Sequence, residues 1–335
     1  MDIAKLVFDS IDIAFDKRLN KNFHIEGSDS VIITKDVLYS HKDVKTCKLD
    51  CYYVPHKNGE YPVLLYIHGG GFVAGDKEYR KALCTWYAVD GFFVVNVNYG
   101  LCPDCHFPTP LSHLVSALNW IVKFSKILHL DLSRIVVSGD SAGAYFASML
   151  VVITNNIELQ KIFKLHPKAK FAAAILNCGL YDIDMTINNR MVLDLNKKVF
   201  ASYTGCNEDD YENYKYKDYC SPLRFLDANF PPTFLVYSKR DVFCKGQAEL
   251  LIGALEQYDV YYESYHTISA LRNHCFSLEW SSREAKEANA LIKDFAQKAI
   301  NGTLPKKISD TPIKIREHER LYNRFKNFSF ATDDH

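Results

Sequence analysis

The sequence has no excess of charge of either sign: 40 lysines and arginines balance 40 aspartates and glutamates over 335 residues. Without a basic stripe or an acidic run, it lacks the electrostatic footprint of a nucleic-acid binder or of a protein with an acidic partner. It also lacks any apolar run near the roughly 18 residues that cross a bilayer, so stable membrane insertion is not expected. Near the N-terminus, Asp2, Lys5, Asp9 and Asp12 break up the apolar residues, which argues against a secretory leader. There are no internal repeats or low-complexity tracts, which sets aside solenoids and disordered arrays. Cysteine is not scarce. Ten are present, scattered rather than spaced as a small disulfide framework. With no leader, they read as reduced thiols of a cytoplasmic protein. A single C-x-x-C, Cys102 to Cys105, leads into a Pro-rich loop rather than a helix and has no second copy. Neither a zinc site nor a redox pair is expected from it. Cys47 and Cys51 share one face of a strand and read as structural.

What is present is 48% apolar sequence, enough for a sizeable core. Residues 30–40 and 45–55 alternate as strands do. Val63–Ile67, Phe92–Val97, Ile135–Ser138, Phe171–Leu176 and Phe234–Tyr237 are short apolar runs, the mark of strands buried on both faces. Val260–Tyr265 reads as the last strand. Helical spacing appears over 77–89, 111–128, 142–154, 246–258 and 283–300. The alternation predicts a mostly parallel sheet with helices on both faces. Ile3, Leu6, Val7, Ile11, Ala14 and Phe15 recur at helical spacing and predict an N-terminal docking helix. The polar, Tyr-rich segment 185–221 breaks the rhythm, as do the first 28 residues, and both lie where a lid over the strand ends could form. The tail beyond Ile300 mixes basic and aromatic residues. Its Ile313, Ile315, Leu321, Tyr322, Phe325 and Phe328 are expected to pack on the body or on a second subunit.

Gly139-Asp140-Ser141-Ala142-Gly143 follows the strand Ile135–Ser138 and opens a helix. A serine on such a turn is pushed out of the sheet top with a helix N-terminus behind it. His68-Gly69-Gly70-Gly71 likewise follows the strand Val63–Ile67. Glycines there let backbone N–H groups approach a developing oxyanion, and the N–H of Ala142 completes such a hole. A serine hydroxyl also needs a base, and the base an orienting acid. Asp241 stands just after Phe234–Ser238, where side chains reach the ligand crevice of an open α/β sheet. His274 lies after the last strand and before the last helix. Asp182 or Asp184 could replace Asp241, and His266 could replace His274. His68 reads as a group that orients its own loop.

With these motifs the chain resembles the hormone-sensitive lipase family of α/β hydrolases over about residues 40–300. His68–Gly71 and Gly139–Gly143 match both of that family's signatures. Asn98–Asp104 resembles its Y-R-L-A-P-E segment, with Gly100 where arginine is usual and Cys102 where alanine is usual. Ser221-Pro222-Leu223, Pro231-Pro232, Asp241 and His274 follow its pattern. The resemblance implies an α/β-hydrolase fold with a twisted, mostly parallel eight-stranded sheet and a helical lid. The lid would come from 1–40 and the insert 185–221, the core from 41–184 and 222–300, and 301–335 would be an added tail. Ser141, Asp241 and His274 would be catalytic, with Gly70, Gly71 and Ala142 as oxyanion donors. Phe72, Asp140 and Tyr145 are expected to contact substrate. Ala144 stands where glycine is common. The implied activity is cofactor-free hydrolysis of short-to-medium acyl or aryl esters, the partner being a small-molecule ester, with a homodimer possible. An amidase, deacetylase or peptidase on the same fold would share these residues. A non-catalytic receptor on this fold is another alternative, but the plant gibberellin receptors that resemble this family lack the catalytic histidine, present here as His274.

Overall fold

Eight strands form one sheet, and the residues of its central strands are shielded from water on both faces. The third strand, Tyr61–Ile67, is buried at every position and sits in the middle of the sheet. Each fully buried Val, Leu or Ile side chain there contributes about 1.5–3 kcal/mol. In the computed structural model, which describes residues 3–21, 24–56, 59–188, 195–207 and 210–310, the strands are β1 Ile32–Leu38, β2 Lys48–Tyr53, β3 Tyr61–Ile67, β4 Phe93–Val97, β5 Leu130–Asp140, β6 Ala173–Asn177, β7 Thr233–Ser238 and β8 Tyr262–Thr267. Their order across the sheet is β1-β2-β4-β3-β5-β6-β7-β8. The pairs β1–β2 and β2–β4 are antiparallel and all others parallel.

The helices are α1 Ile3–Lys21, α2 Lys81–Val89, α3 Thr109–Leu128, α4 Ala142–Asn155, α5 Ile157–Phe163, α6 Ile183–Asn188, α7 Leu195–Thr204, α8 Gln247–Gln257 and α9 Arg283–Ile300. The core divides into two layers. Residues of α2 and α9 join one face of the sheet, and residues of α3, α4, α5 and α8 join the other. Helix α4 is buried on every side from Ala142 to Thr154, and its sequence is correspondingly apolar all round. Helix α9 has one apolar stripe, and its Ser282 cap accepts from the N–H of Ala285 at 3.1 Å. No helix among the described residues is long and apolar enough to cross a membrane.

After β3 the chain moves outward to β4, then crosses back to place β5 on the other side of β3. The ends of β3 and β5 therefore flank the point where the winding reverses, and a crevice opens there in sheets of this kind. His68–Gly71 follows β3, and Ser141 follows β5.

Two expectations change. Helix α1 forms, but buries the stripe read from sequence only in part: Val7 and Ile11 are half-buried, with Ile11 packed on the core, and Ala14 is exposed. Leu6 is half exposed at 50%, whereas Phe8 and Asp12 are the buried positions. The reason is tertiary: an ion partner for Asp12 lies under the helix. Helix α5 adds an element over a stretch to which the sequence reading assigns none; its Asn156 cap accepts from the N–H groups of Glu158 and Leu159 at 3.0 Å each. The apolar tail residues 313–328 lie outside the described residues.

Candidate active site

Ser141 leaves β5 with φ 53° and ψ −121°, a conformation that costs a non-glycine residue of order 1–3 kcal/mol. Neighbours hold it there. Its N–H donates to Asn177 O at 2.8 Å, and its carbonyl accepts from the N–H of Tyr145 at 3.1 Å. Gly143 must be glycine because a Cβ there would lie 2.0 Å from Ile67 O. This contact lets α4 start directly against the end of β3. Gly70 has φ 126°, and a Cβ there would strike Ala74 O at 2.1 Å.

His274 Nε2 lies 2.8 Å from Ser141 Oγ, and His274 Nδ1 lies 2.8 Å from Asp241 Oδ2. Asp241 Oδ1 accepts from the N–H groups of Phe243 and Cys244 at 2.8 and 2.9 Å. Burial alone would push the Asp241 carboxyl up. The His274 charge, its hydrogen bond and those two N–H groups outweigh burial and hold the carboxyl below its ordinary value. Asn273 Oδ1 accepts from the N–H groups of His274 and Val242 at 2.8 and 3.0 Å, which joins the histidine loop to the aspartate loop. The three side chains can therefore pass a proton from Oγ to the imidazole while the carboxylate fixes the ring. Three cysteines crowd the acid–base pair: donor atoms of Cys178, Cys275 and His274 lie within 4.8 Å of one another, as do those of Cys244, Asp241 and His274. Burial pushes all three thiols up, so they surround the pair as neutral groups.

The other candidates go elsewhere. Asp182 accepts from the N–H of Met185 at the start of α6, and Asp184 pairs with Arg224 and Tyr211. His266 stacks on Tyr237 within the sheet edge. His68 stacks on Tyr99 at 4.5 Å and its Nδ1 meets Gly69 O at 2.7 Å, so it braces the glycine loop. Burial lowers its imidazole below the ordinary value.

A cavity of about 40 Å³ opens beside Ser141 and is bounded by Gly71, Phe72, Ala142, Phe200 and Phe243 among others. Gly70 is not on its wall; the Gly70 carbonyl accepts from the N–H groups of Val73 and Ala74 and closes a turn behind it. Of the residues expected to contact substrate, only Phe72 lines the cavity. Tyr145 is fully buried behind it; its hydroxyl donates to Cys220 O at 2.8 Å, accepts from Tyr203 at 3.1 Å, and its ring supports Phe72 edge-on. Asp140 turns inward, away from the cavity, because Arg80 takes both of its oxygens. The sequence reading missed Arg80, together with Phe8 of α1 and Leu195, Val199 and Phe200 of α7 on the cavity wall. The composition of 185–221 pointed to the region around the last three, but nothing in it selected those positions.

Sheet order, the serine turn at the winding reversal and the hydrogen-bonded triad define an α/β hydrolase. Its nearest description is more specific: the chain belongs to the BD-FAE family, within the hormone-sensitive lipase and carboxylesterase group, whose family model matches residues 49–254. Among curated relatives it is similar to the esterase LipI of Mycobacterium tuberculosis, 39% identical over 92 residues that cover 27% of this chain and 29% of that protein. It is also similar to the ethyl acetate hydrolase of Pseudomonas putida, 36% identical over 99 residues, covering 29% of this chain and 30% of that one. The matched segments thus span under a third of these relatives. Among solved structures, esterase B of Lactobacillus Rhamnosis superposes with a TM-score of 0.75 at 22% identity, over 88% of this chain and 93% of that one, a likeness of fold.

Proposed function

We propose that this chain is a serine carboxylesterase acting on small esters with short acyl groups. Ser141 Oγ attacks the ester carbonyl while His274 Nε2 takes its proton. The backbone N–H groups of Gly70, Gly71 and Ala142 hold the tetrahedral oxyanion. His274 then delivers the proton to the departing alkoxide, and water, activated by the same base, hydrolyses the acyl-enzyme. The reaction so written calls for no metal or organic cofactor. The observation that carries the reading is the unbroken sequence of contacts from Ser141 Oγ through His274 to Asp241, 2.8 Å at each step. Esterase names among the relatives support it.

The short-acyl preference rests on the cavity. At about 40 Å³ it is well below the roughly 150 Å³ that admits a benzene ring, and its walls are largely apolar. Helix α1 and the insert 185–221 act as the cover: Phe8 comes from the first, and Thr186, Leu195, Val199 and Phe200 from the second. Hydrolysis of p-nitrophenyl esters from acetate to decanoate by the wild type and Ser141→Ala tests both parts. Turnover greatest between acetate and butyrate, and absent in the variant, is the expected result. Turnover that survives in Ser141→Ala would reject the site, and an optimum at decanoate would reject the size assignment.

A further inference from the structure

We propose that helix α1 is a working part of the site and not a cover alone: through Asp12, Arg80 and Asp140 its docking is coupled to the order of the serine turn and the glycine loop. The inference deepens the esterase reading and rests on it. Arg80 ends a short 3-10 turn, Lys77–Arg80, and its side chain is 2% exposed. Its Nε donates to Asp140 Oδ1 at 2.9 Å, and its Nη2 donates to Asp140 Oδ2 at 2.7 Å and to Asp12 Oδ1 at 3.0 Å. Tyr66 of β3 adds a hydroxyl to Asp140 Oδ1 at 2.7 Å. One carboxylate thus ties together β3, β5, the Arg80 turn and, through the guanidinium, α1. It sits where small movements matter. The next residue is Ser141, held at positive φ, and the glycine loop presses on the other side, for a Cβ on Gly69 would lie 2.5 Å from Asp140 Oδ2.

A second contact from α1 reaches the same place independently. Phe8 lies one turn before Asp12 on the same helix face. Its ring covers Gly71 so closely that a Cβ there would meet it at 2.5 Å. The ring also packs on Phe243 at 5.5 Å, which packs on His274 at 4.9 Å. The helix therefore touches the loop beside the oxyanion and the support of the base.

Charge makes this more than packing. Asp12 and Asp140 share one guanidinium, and all three groups are nearly without solvent. Attraction between such charges is strong only while water is kept out. If α1 leaves, Nη2 loses a partner and the Arg80–Asp140 pair is wetted, so the grip on the serine turn weakens. Linkage then requires the reverse: a group occupying the site and ordering that turn must strengthen α1 docking.

The full-length protein is treated with an alkyl p-nitrophenyl phosphonate, the modified residue is located by mass spectrometry, and hydrogen exchange of the α1 peptide is followed. With Ser141 modified, exchange in α1 is expected to slow several-fold, about 10-fold at most amides. Asp12→Asn should lower kcat about 10-fold with KM within about twofold, and should remove that protection. Arg80→Lys, which keeps the charge and loses the fork, should lower kcat further. Modification of Ser141 without any change in α1 exchange would overturn the coupling, and this measurement on the wild type needs no variant to fold. So would an Asp12→Asn protein of lower melting temperature but unchanged kcat. A wild type that neither hydrolyses esters nor is modified at Ser141 would be a different failure, rejecting the esterase reading itself and the inference with it.

Discussion

Two buried aspartates stand on either side of Ser141, at the ends of β5 and β7, and their partners make them opposites. Asp140 and Asp241 are 1% and 2% exposed. For both, burial pushes the carboxyl up and a cationic partner with its hydrogen bonds more than offsets it, leaving the group below its ordinary value. The partner of Asp140 is Arg80, which never releases its proton in a protein. The partner of Asp241 is His274, whose imidazole takes a proton from the serine and gives it up again in the relay. The same residue type in the same kind of position thus serves as a brace on one shoulder of the site and as part of a proton relay on the other. What distinguishes them is whether the partner can cycle, not how deeply the carboxylate is buried.

Substitutions should separate the two shoulders. The largest effect is expected from Ser141→Ala, with ester turnover lower by about 10⁴–10⁶ and an unchanged far-ultraviolet circular dichroism spectrum. Asp241→Asn should cost about 10⁴ in kcat by presenting the wrong imidazole tautomer to the serine. Thermal melting should move little by comparison; a kcat within tenfold of wild type would erase the distinction between relay and brace. Arg80→Met should act on stability as well as on kcat. It leaves Asp12 and Asp140 buried with no cation between them, so the stability read from urea unfolding should drop by about 3–5 kcal/mol.

Acid should act on both shoulders together. Each carboxyl has a folded-state pKa below its unfolded value of about 3.9, so the unfolded state binds more protons as pH falls. Their stabilisation is complete above the unfolded value and is lost as pH falls toward the folded one. Urea midpoints should decline from about pH 5 downward, and Asp241→Asn should flatten part of that decline. The smallest change is expected from Phe200→Ala, which enlarges the cavity wall and should move the acyl optimum one or two carbons longer with kcat/KM changed by no more than about tenfold. An optimum that stays where it was would place the acyl group elsewhere.

Much of this was legible before the structure because local chemistry dictates it. Val63–Ile67 and Ile135–Ser138 are too apolar to be anything but buried strands, and the helix begun at Ala142 is apolar on every side. The motifs after these strands named Ser141 and Gly71, and strand order pointed to Asp241 and His274, which the structure brings into hydrogen-bond reach. Asp140 and Tyr145, expected from the resemblance to contact substrate, both lie off the cavity wall. A residue next to a nucleophile on a sharp turn points to the opposite side, and Asp140 points at Arg80.

The sequence by itself determined the strand–helix alternation, the two glycine turns and the kinds of side chain that end the strands, because periodicity, glycine and short-range sterics act within a few residues. Only the tertiary structure decided which carboxylate meets a histidine and which an arginine, which face of α1 is buried, and how much room is left beside Ser141. Those depend on partners far along the chain: His274 is 33 positions from Asp241, and Arg80 is 60 from Asp140 and 68 from Asp12. A buried charge takes whatever partner the packed chain brings to it, and no local pattern announces that partner.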